Sequence, residues 1–233
     1  MAVSDPKLGP LVRRSVHHAA ALWFFGTLQF LLVMAGVQLA WTHPYSLSHN
    51  VISDLGNTAC GPYPTSTSSV VCSPYHVLFN VSLLVLGALV VLGALLVASA
   101  FPPKRRTSAL GLGALLVAGL GLAGVGLFPE NVNGSVHVVS AAIAFVGGGL
   151  ALVFLSLAMF RDTRWDGYRA YTLFSGLVSL VAIGLYAAGD YFALGRGGME
   201  RLAAAPLLLW LLLASIHLLY IPAYAPRTVP GAG

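Results

Sequence analysis

The chain has 233 residues, of which 58% are hydrophobic and only 8% are charged, with a formal net charge of +5. A soluble domain carries roughly 25% charged residues. So few charged residues are not enough to cover the surface of a soluble domain. The composition therefore excludes an ordinary soluble domain and predicts an integral membrane protein.

Six apolar runs follow one another along the chain, each close to the length of about 20 residues that a helix needs to cross a bilayer. They span approximately residues 18–40, 75–100, 107–128, 137–160, 170–188 and 202–224. The connectors are short, except for a long one over 41–74. We therefore predict an all-α fold, a six-helix membrane bundle that forms a single domain over residues 1–233.

The first run follows a basic stretch, as the apolar part of a signal peptide does. Its apolar part is longer than that of a signal peptide, and no cleavage site of small residues follows it. We expect it to be a retained transmembrane helix.

The connectors alternate between rich and poor in Lys and Arg, and this pattern predicts the orientation. Cytoplasmic loops carry the excess of Lys and Arg. Ten of the 12 Lys and Arg residues lie on one side, and only Arg196 and Arg201 on the other. We predict a multi-pass protein of the inner (plasma) membrane with both termini in the cytoplasm. Because the basic residues form short clusters beside the membrane, we expect contact with anionic lipid and not with nucleic acid.

Both cysteines, Cys60 and Cys72, lie in the long connector on the predicted outer side. Two neighbouring cysteines on an oxidising side indicate a disulfide. A pair of metal-binding thiolates is the alternative, although the spacing lacks a C-x-x-C form.

The third and fourth runs are rich in glycine, including Gly121, Gly124 and the triplet 147–149. Small residues allow helices to approach closely in lipid. We expect these two helices to be the inner, tightly packed pair. A homo-oligomer is also compatible with the sequence.

Polar side chains collect at the predicted outer membrane level. Ionisable residues at membrane depth are costly and usually face a cavity or a partner. We therefore predict a convergent site there. Its candidates are His49, Ser53, Asp54, His76, Glu130, His137, Glu200 and Arg201.

We predict catalytic roles for His137, as base or ligand, and for Asp54 and Glu200, which would orient or ligate. Arg201 would hold an anionic head group. The other candidates for contact with a substrate are His49, Ser53 and Glu130. Structural roles compete with these: a helix cap at residues 53–54, or an ion pair or helix-dipole contact at residues 200–201.

One enzyme hypothesis is a lipid hydrolase or acyl transferase. A metal-dependent or acid–base form would use His49, Asp54, His76 and His137 as ligands or bases, with His76 and His137 as the metal ligands. A serine-based form would pair Ser53 or Ser135 with the same His137. No H-E-x-x-H or G-x-S-x-G motif occurs in the chain.

Two further hypotheses belong to other classes. In a haem protein, His76 would pair with His137 near the outer face, and His17 or His18 with His217 near the inner face. In a lipid-binding or transport module the outer residues would recognise a head group without turnover. The sequence does not decide which cofactor, if any, is bound.

Three short motifs carry a family resemblance. The segment Ser48-His-Asn-Val-Ile-Ser-Asp-Leu-Gly56 resembles the Ser-Asp-Leu-Gly signature of the prokaryotic family called domain of unknown function 998. Phe128-Pro129-Glu130, ahead of His137, is similar to the third-to-fourth helix junction of that family. Gly198-Met-Glu-Arg201 resembles its last junction.

The layout is also remotely similar to the Frag–DRAM–Sfk group of six-helix membrane proteins, which are tied to lipid remodelling, autophagy and lipid homeostasis. This similarity implies a lipid-facing function centred on Asp54, His137 and Glu200. The chain has Glu-Arg at 200–201 where that group often has Glu-Trp. Our leading hypothesis is that the protein binds or modifies a lipid or amphiphilic substrate at the outer leaflet.

Overall fold

The computed structural model describes residues 8–62, 70–103, 105–160 and 162–221. Within these residues, six helices are long and apolar enough to cross a membrane. The helices are α1 (Leu8–Leu39), α2 (His76–Leu96), α3 (Arg106–Leu127), α4 (Gly134–Met159), α5 (Tyr168–Ala188) and α6 (Gly195–Tyr220). The predicted all-α membrane bundle is confirmed.

The six helices form a ring in chain order. Each packs against the helix before it and the helix after it, and the ring closes where α1 packs against α6. The packing of α3 against α4 is close: a Cβ atom added at Gly121 would lie 2.6 Å from the Ala144 backbone nitrogen. The expectation that α3 and α4 are the inner pair is wrong, because a ring has no central helix.

Two helices, α1 and α6, begin well before the apolar runs predict. α1 begins at Leu8 instead of about residue 18, because basic residues end an apolar run without ending a helix. α6 begins at Gly195 instead of 202, through glycines that usually mark a helix end. α2 ends at Leu96, short of the predicted 100, and a 3₁₀ turn over Ala98–Ala100 follows it.

Some predictions fall outside the described residues. They concern the last predicted residues of the sixth run, 222–224, and four of the ten basic residues used for the orientation. Those four are Lys7, Lys104, Arg161 and Arg227.

The long connector folds onto one end of the ring, which we call the loop end. A four-residue 3₁₀ helix, Ser53–Gly56, lies against α1 and α2, and Leu55 is fully buried there. A two-residue antiparallel pair, β1 (Gly61–Pro62) and β2 (Val70–Val71), follows. The disulfide between Cys60 and Cys72, next to these strands, confirms the predicted pairing.

Candidate functional site

Five polar side chains from three separate parts of the chain meet at the loop end. Ser53 and Asp54 come from the 3₁₀ helix, Glu130 from the α3–α4 connection, His137 from the first turn of α4, and Glu200 from the second turn of α6. Asp54, Glu130, His137 and Glu200 are all buried. We call these five residues the polar cluster.

Two glycines bring the start of α6 against the connector and so bring Glu200 to Ser53. Gly195 has φ +69°, a left-handed conformation that favours glycine. Gly197 donates its N–H to the Ser48 carbonyl at 2.8 Å, and a Cβ atom there would lie 2.7 Å from the Leu47 carbonyl oxygen. A larger residue at position 197 would therefore push the connector away.

Glu200 then holds the connector directly. One of its carboxylate oxygens accepts the Ile52 N–H, and the other lies 3.3 Å from Ser53 Oγ. The Ile52 backbone and the Ser53 side chain are therefore both tied to α6.

Arg201 clamps the same contact from the other side. Its guanidinium donates to the carbonyls of Leu47 at 3.1 Å and Asn50 at 2.7 Å, and to the Tyr45 hydroxyl at 2.5 Å. Arg201 therefore contacts protein atoms of the connector. We had predicted an anionic head group as its partner.

Ser53 and His137 are in direct contact. Ser53 Oγ lies 2.9 Å from His137 Nε2, and His137 Nδ1 lies 2.9 Å from the Phe128 carbonyl oxygen. A carbonyl oxygen only accepts, so Nδ1 carries a proton. In the neutral ring Nε2 is then an acceptor, and the Ser53 hydroxyl donates to it.

Asp54 and Glu130 form a buried carboxyl pair. Asp54 accepts hydrogen bonds from the Asn50 side chain and the Val51 N–H, both at 3.1 Å. Burial nevertheless raises the pKa of Asp54. Burial, together with the negative charges of Asp54 and Glu200, raises the pKa of Glu130 to about 8. The raised pKa values of both groups favour one proton held by the pair at neutral pH.

The polar cluster closes one end of a groove on the outside of the helix ring, between neighbouring helices. The groove has a volume of about 590 Å³ and runs between α4 and α5 to the start of α6. Four of the five cluster residues, all except Asp54, line it. Its remaining walls are mainly apolar, and the large exposure of Val138 at its edge, 66%, places its mouth on the surface that faces lipid.

A second, smaller space lies inside the ring. This chamber has a volume of about 70 Å³ and is lined by residues of all six helices. Only Ser53, Ser179 and Glu200 are polar among its lining residues, and the Ser179 hydroxyl donates to the Ala203 carbonyl at 2.7 Å. Ser53 and Glu200 line both the groove and the chamber, so the two spaces adjoin at these residues.

Besides Arg201, two predicted site residues lie outside the polar cluster. His49 is exposed on the connector, and His76 uses Nδ1 to contact the Ser73 carbonyl at 3.0 Å. Neither lines the groove or the chamber. The predictions for these two residues stay predictions.

Two groove residues were missed by the sequence reasoning. Arg196 donates through Nε to the Tyr186 hydroxyl at 3.0 Å, and both side chains line the groove beside Glu200. Arg196 was already one of only two basic residues on the charge-poor side. The scarcity of basic residues on this side is the sequence signal that points to Arg196. From the sequence we use it only to predict the orientation.

The metal and haem hypotheses gain no support from these contacts. No group of three or more His, Cys, Asp or Glu suited to a metal ion occurs among the described residues. Both ring nitrogens of His137 face protein atoms, and His217 Nε2 donates to the Arg164 carbonyl at 3.0 Å. Axial ligation of a haem requires one of these nitrogens to be released.

The fold and its apolar helices define a multi-pass membrane protein whose surface contacts membrane lipid. The family model described as "Protein of unknown function (DUF998)" matches residues 24–217. The chain therefore belongs to this family, the domain of unknown function 998 family that its motifs resemble. No curated protein and no solved structure matches the chain. The remote similarity to the Frag–DRAM–Sfk group stays a prediction.

Proposed function

We propose that this protein binds a membrane lipid or a similar amphiphile in the groove between α4 and α5. The groove itself carries the proposal, because it opens towards lipid, has mainly apolar walls and ends in buried polar groups. Ligand sites are typically apolar clefts with a few convergent polar groups. An acyl chain would lie along Ala141, Phe145 and Leu180, with the polar end of the molecule at the cluster.

The charges of the cluster favour a head group of small net charge. The carboxyl pair holds a proton at neutral pH, which limits its negative charge. Arg196 is the cationic side chain among the described residues that line the groove, and it supports contact with a phosphate or carboxyl group. Glu130 and Glu200 supply acceptors for hydroxyl or amine groups.

The distribution of basic residues supports the same location for the ligand. It favours a plasma membrane protein with cytoplasmic termini and with the loop end outside. The disulfide at the loop end agrees with an oxidising compartment. The ligand is then a molecule of the outer leaflet.

Native mass spectrometry of the protein purified in mild detergent tests the binding. Gly184 lines the groove, and a Cβ atom added there meets no neighbour within 4 Å. Gly184→Leu therefore fills the groove without a clash, and we expect the lipid-bound fraction to fall roughly tenfold.

Gly36→Leu is the matched control, because Gly36 also has no neighbour within 4 Å and lies in α1 away from the groove. Equal lipid retention in the two variants would exclude the groove as the binding site.

A further inference from the structure

Ser53 has the surroundings of an activated nucleophile. Its hydroxyl donates to His137 Nε2 at 2.9 Å, and the Phe128 carbonyl fixes the imidazole in the tautomer that accepts this proton. A nucleophile bonded to a base that is itself oriented by a third group is the arrangement of covalent acyl-transfer enzymes. Here the third group is a backbone carbonyl instead of a carboxylate.

Ser53 also lies where a bound ester would need its nucleophile. It is at the polar end of the groove and at the entrance of the chamber. A substrate in the groove would bring its polar linkage to the Ser53 hydroxyl. A chain attached to Ser53 would find an apolar space directly behind it, among Phe79, Leu122 and Leu207.

We infer that Ser53 is the nucleophile of an acyl transfer from a carboxylic ester of a membrane amphiphile, with His137 as general base. This inference rests on the proposed binding of an amphiphile in the groove. The chamber would receive the first few carbons of the acyl chain while it is attached to Ser53.

In the first half of the reaction a bond forms between Ser53 Oγ and the acyl carbon. The hydroxyl proton passes to His137 Nε2, the ester C–O bond breaks, and the alcohol leaves with that proton. In the second half, water gives a proton to His137 and adds to the acyl carbon. The bond between Ser53 Oγ and the acyl carbon then breaks, the carboxylic acid leaves, and Oγ takes the proton back from His137.

A long-chain alkyl fluorophosphonate tests the nucleophile, because it forms an Oγ–P bond with an activated serine and releases fluoride. We expect one adduct per chain, mapped to Ser53 by mass spectrometry of peptides. Ser53→Ala should remove the adduct, and His137→Gln should slow labelling by roughly a hundredfold or more. Ser135→Ala is the matched control, since Ser135 is exposed, two residues from His137, and lines neither space.

Release of p-nitrophenol from p-nitrophenyl acyl esters tests turnover, and the chamber sets its dependence on chain length. Ala204 lines the chamber, and Ala204→Leu should shift the preference towards shorter acyl chains. Ala88→Leu, on the exposed face of α2, should leave the preference unchanged.

Lipid retention separates failure of this inference from failure of the proposed function. If wild-type protein retains lipid but Ser53 is not labelled, or is labelled without ester turnover, the acyl transfer is excluded and the binding function stands. Labelling of another serine excludes it equally. If neither lipid retention nor labelling occurs, both proposals fail. Retained lipid in Ser53→Ala shows that loss of labelling in that variant is not loss of the fold.

Discussion

Each end of the helix ring contains a histidine, an arginine and at least one buried acidic side chain. At the end opposite the loop end, Arg164 and Asp162 pair through two bonds of 2.8 and 3.1 Å, and His217 stacks on Tyr168 with 4.9 Å between ring centroids. At the loop end the acidic groups instead face one another, and Glu130 and Glu200 line a groove. Polar groups therefore occur at both ends of the ring. The groove beside them, and not their position in the membrane, distinguishes the candidate site.

The largest expected loss of stability comes from the paired end. Arg164→Ala leaves the buried Asp162 without its bidentate partner, which should lower the free energy of unfolding by about 3–5 kcal/mol. Titration with dodecyl sulfate in mixed micelles measures it. Arg105→Ala is the control, because Arg105 is exposed and donates to one carbonyl. Equal losses in the two variants would contradict the comparison.

The disulfide should give the next largest effect. It closes a loop between residues 12 apart, so replacing Cys60 and Cys72 together by serine should cost roughly 3 kcal/mol in the chain-entropy model. The same unfolding titration, with and without reductant, measures the loss. Reductant should destabilise the wild type and leave the double variant unchanged. Sensitivity of the double variant to reductant would show that the effect does not come from this bond.

The carboxyl pair should make stability depend on pH. The folded pKa of Glu130, about 8, lies above its ordinary value of 4.5, so the folded state holds the proton more tightly. The contribution of Glu130 to the free energy of unfolding is complete below about pH 4.5 and is lost as the pH rises towards 8. The change in the free energy of unfolding should be on the order of 2 kcal/mol. This is less than the full shift in the pKa of Glu130 would give, because Asp54 shares the proton. Unfolding measured across this range should show it.

Glu130→Gln removes one titrating group and keeps its shape. This variant should have a flatter pH profile than the wild type. A profile as steep as that of the wild type would assign the dependence to other groups.

The smallest expected effect is that of Ser53→Ala. It removes the hydrogen bond to His137, the longer contact with Glu200 and little volume, so it should cost about 1 kcal/mol. Unfolding titration measures it beside Arg164→Ala. A loss as large as that of Arg164→Ala would mean that the Ser53–His137 contact stabilises the fold in the way that the Arg164–Asp162 pair does.

The membrane spans and the disulfide follow from local information, and both could be predicted. Apolar runs of sufficient length leave few alternatives to transmembrane helices, and Cys60 and Cys72 share one connector. The start of α6 could not be predicted in this way. Its glycines are weak helix formers in isolation, and only contact with the connector explains them.

The residues of the polar cluster could be predicted better than the contacts between them. His137, Asp54, Glu130 and Glu200 were all chosen because each is polar at the same predicted membrane level. The contact between Ser53 and His137 joins residues 84 positions apart, and no local pattern reports it. The predicted role of Arg201 rested on its charge alone, whereas its partners are backbone carbonyls that a sequence does not place.

The closure of the ring between α1 and α6 has a consequence for biosynthesis. Ser53 follows α1 along the chain, His137 lies in α4, and Glu200 lies in α6. A chain synthesised only as far as α5 therefore has no enclosed chamber and no Glu200 anchor for the Ile52–Ser53 peptide. The contacts among Ser53, His137 and Glu200 are completed only after α6 has been synthesised.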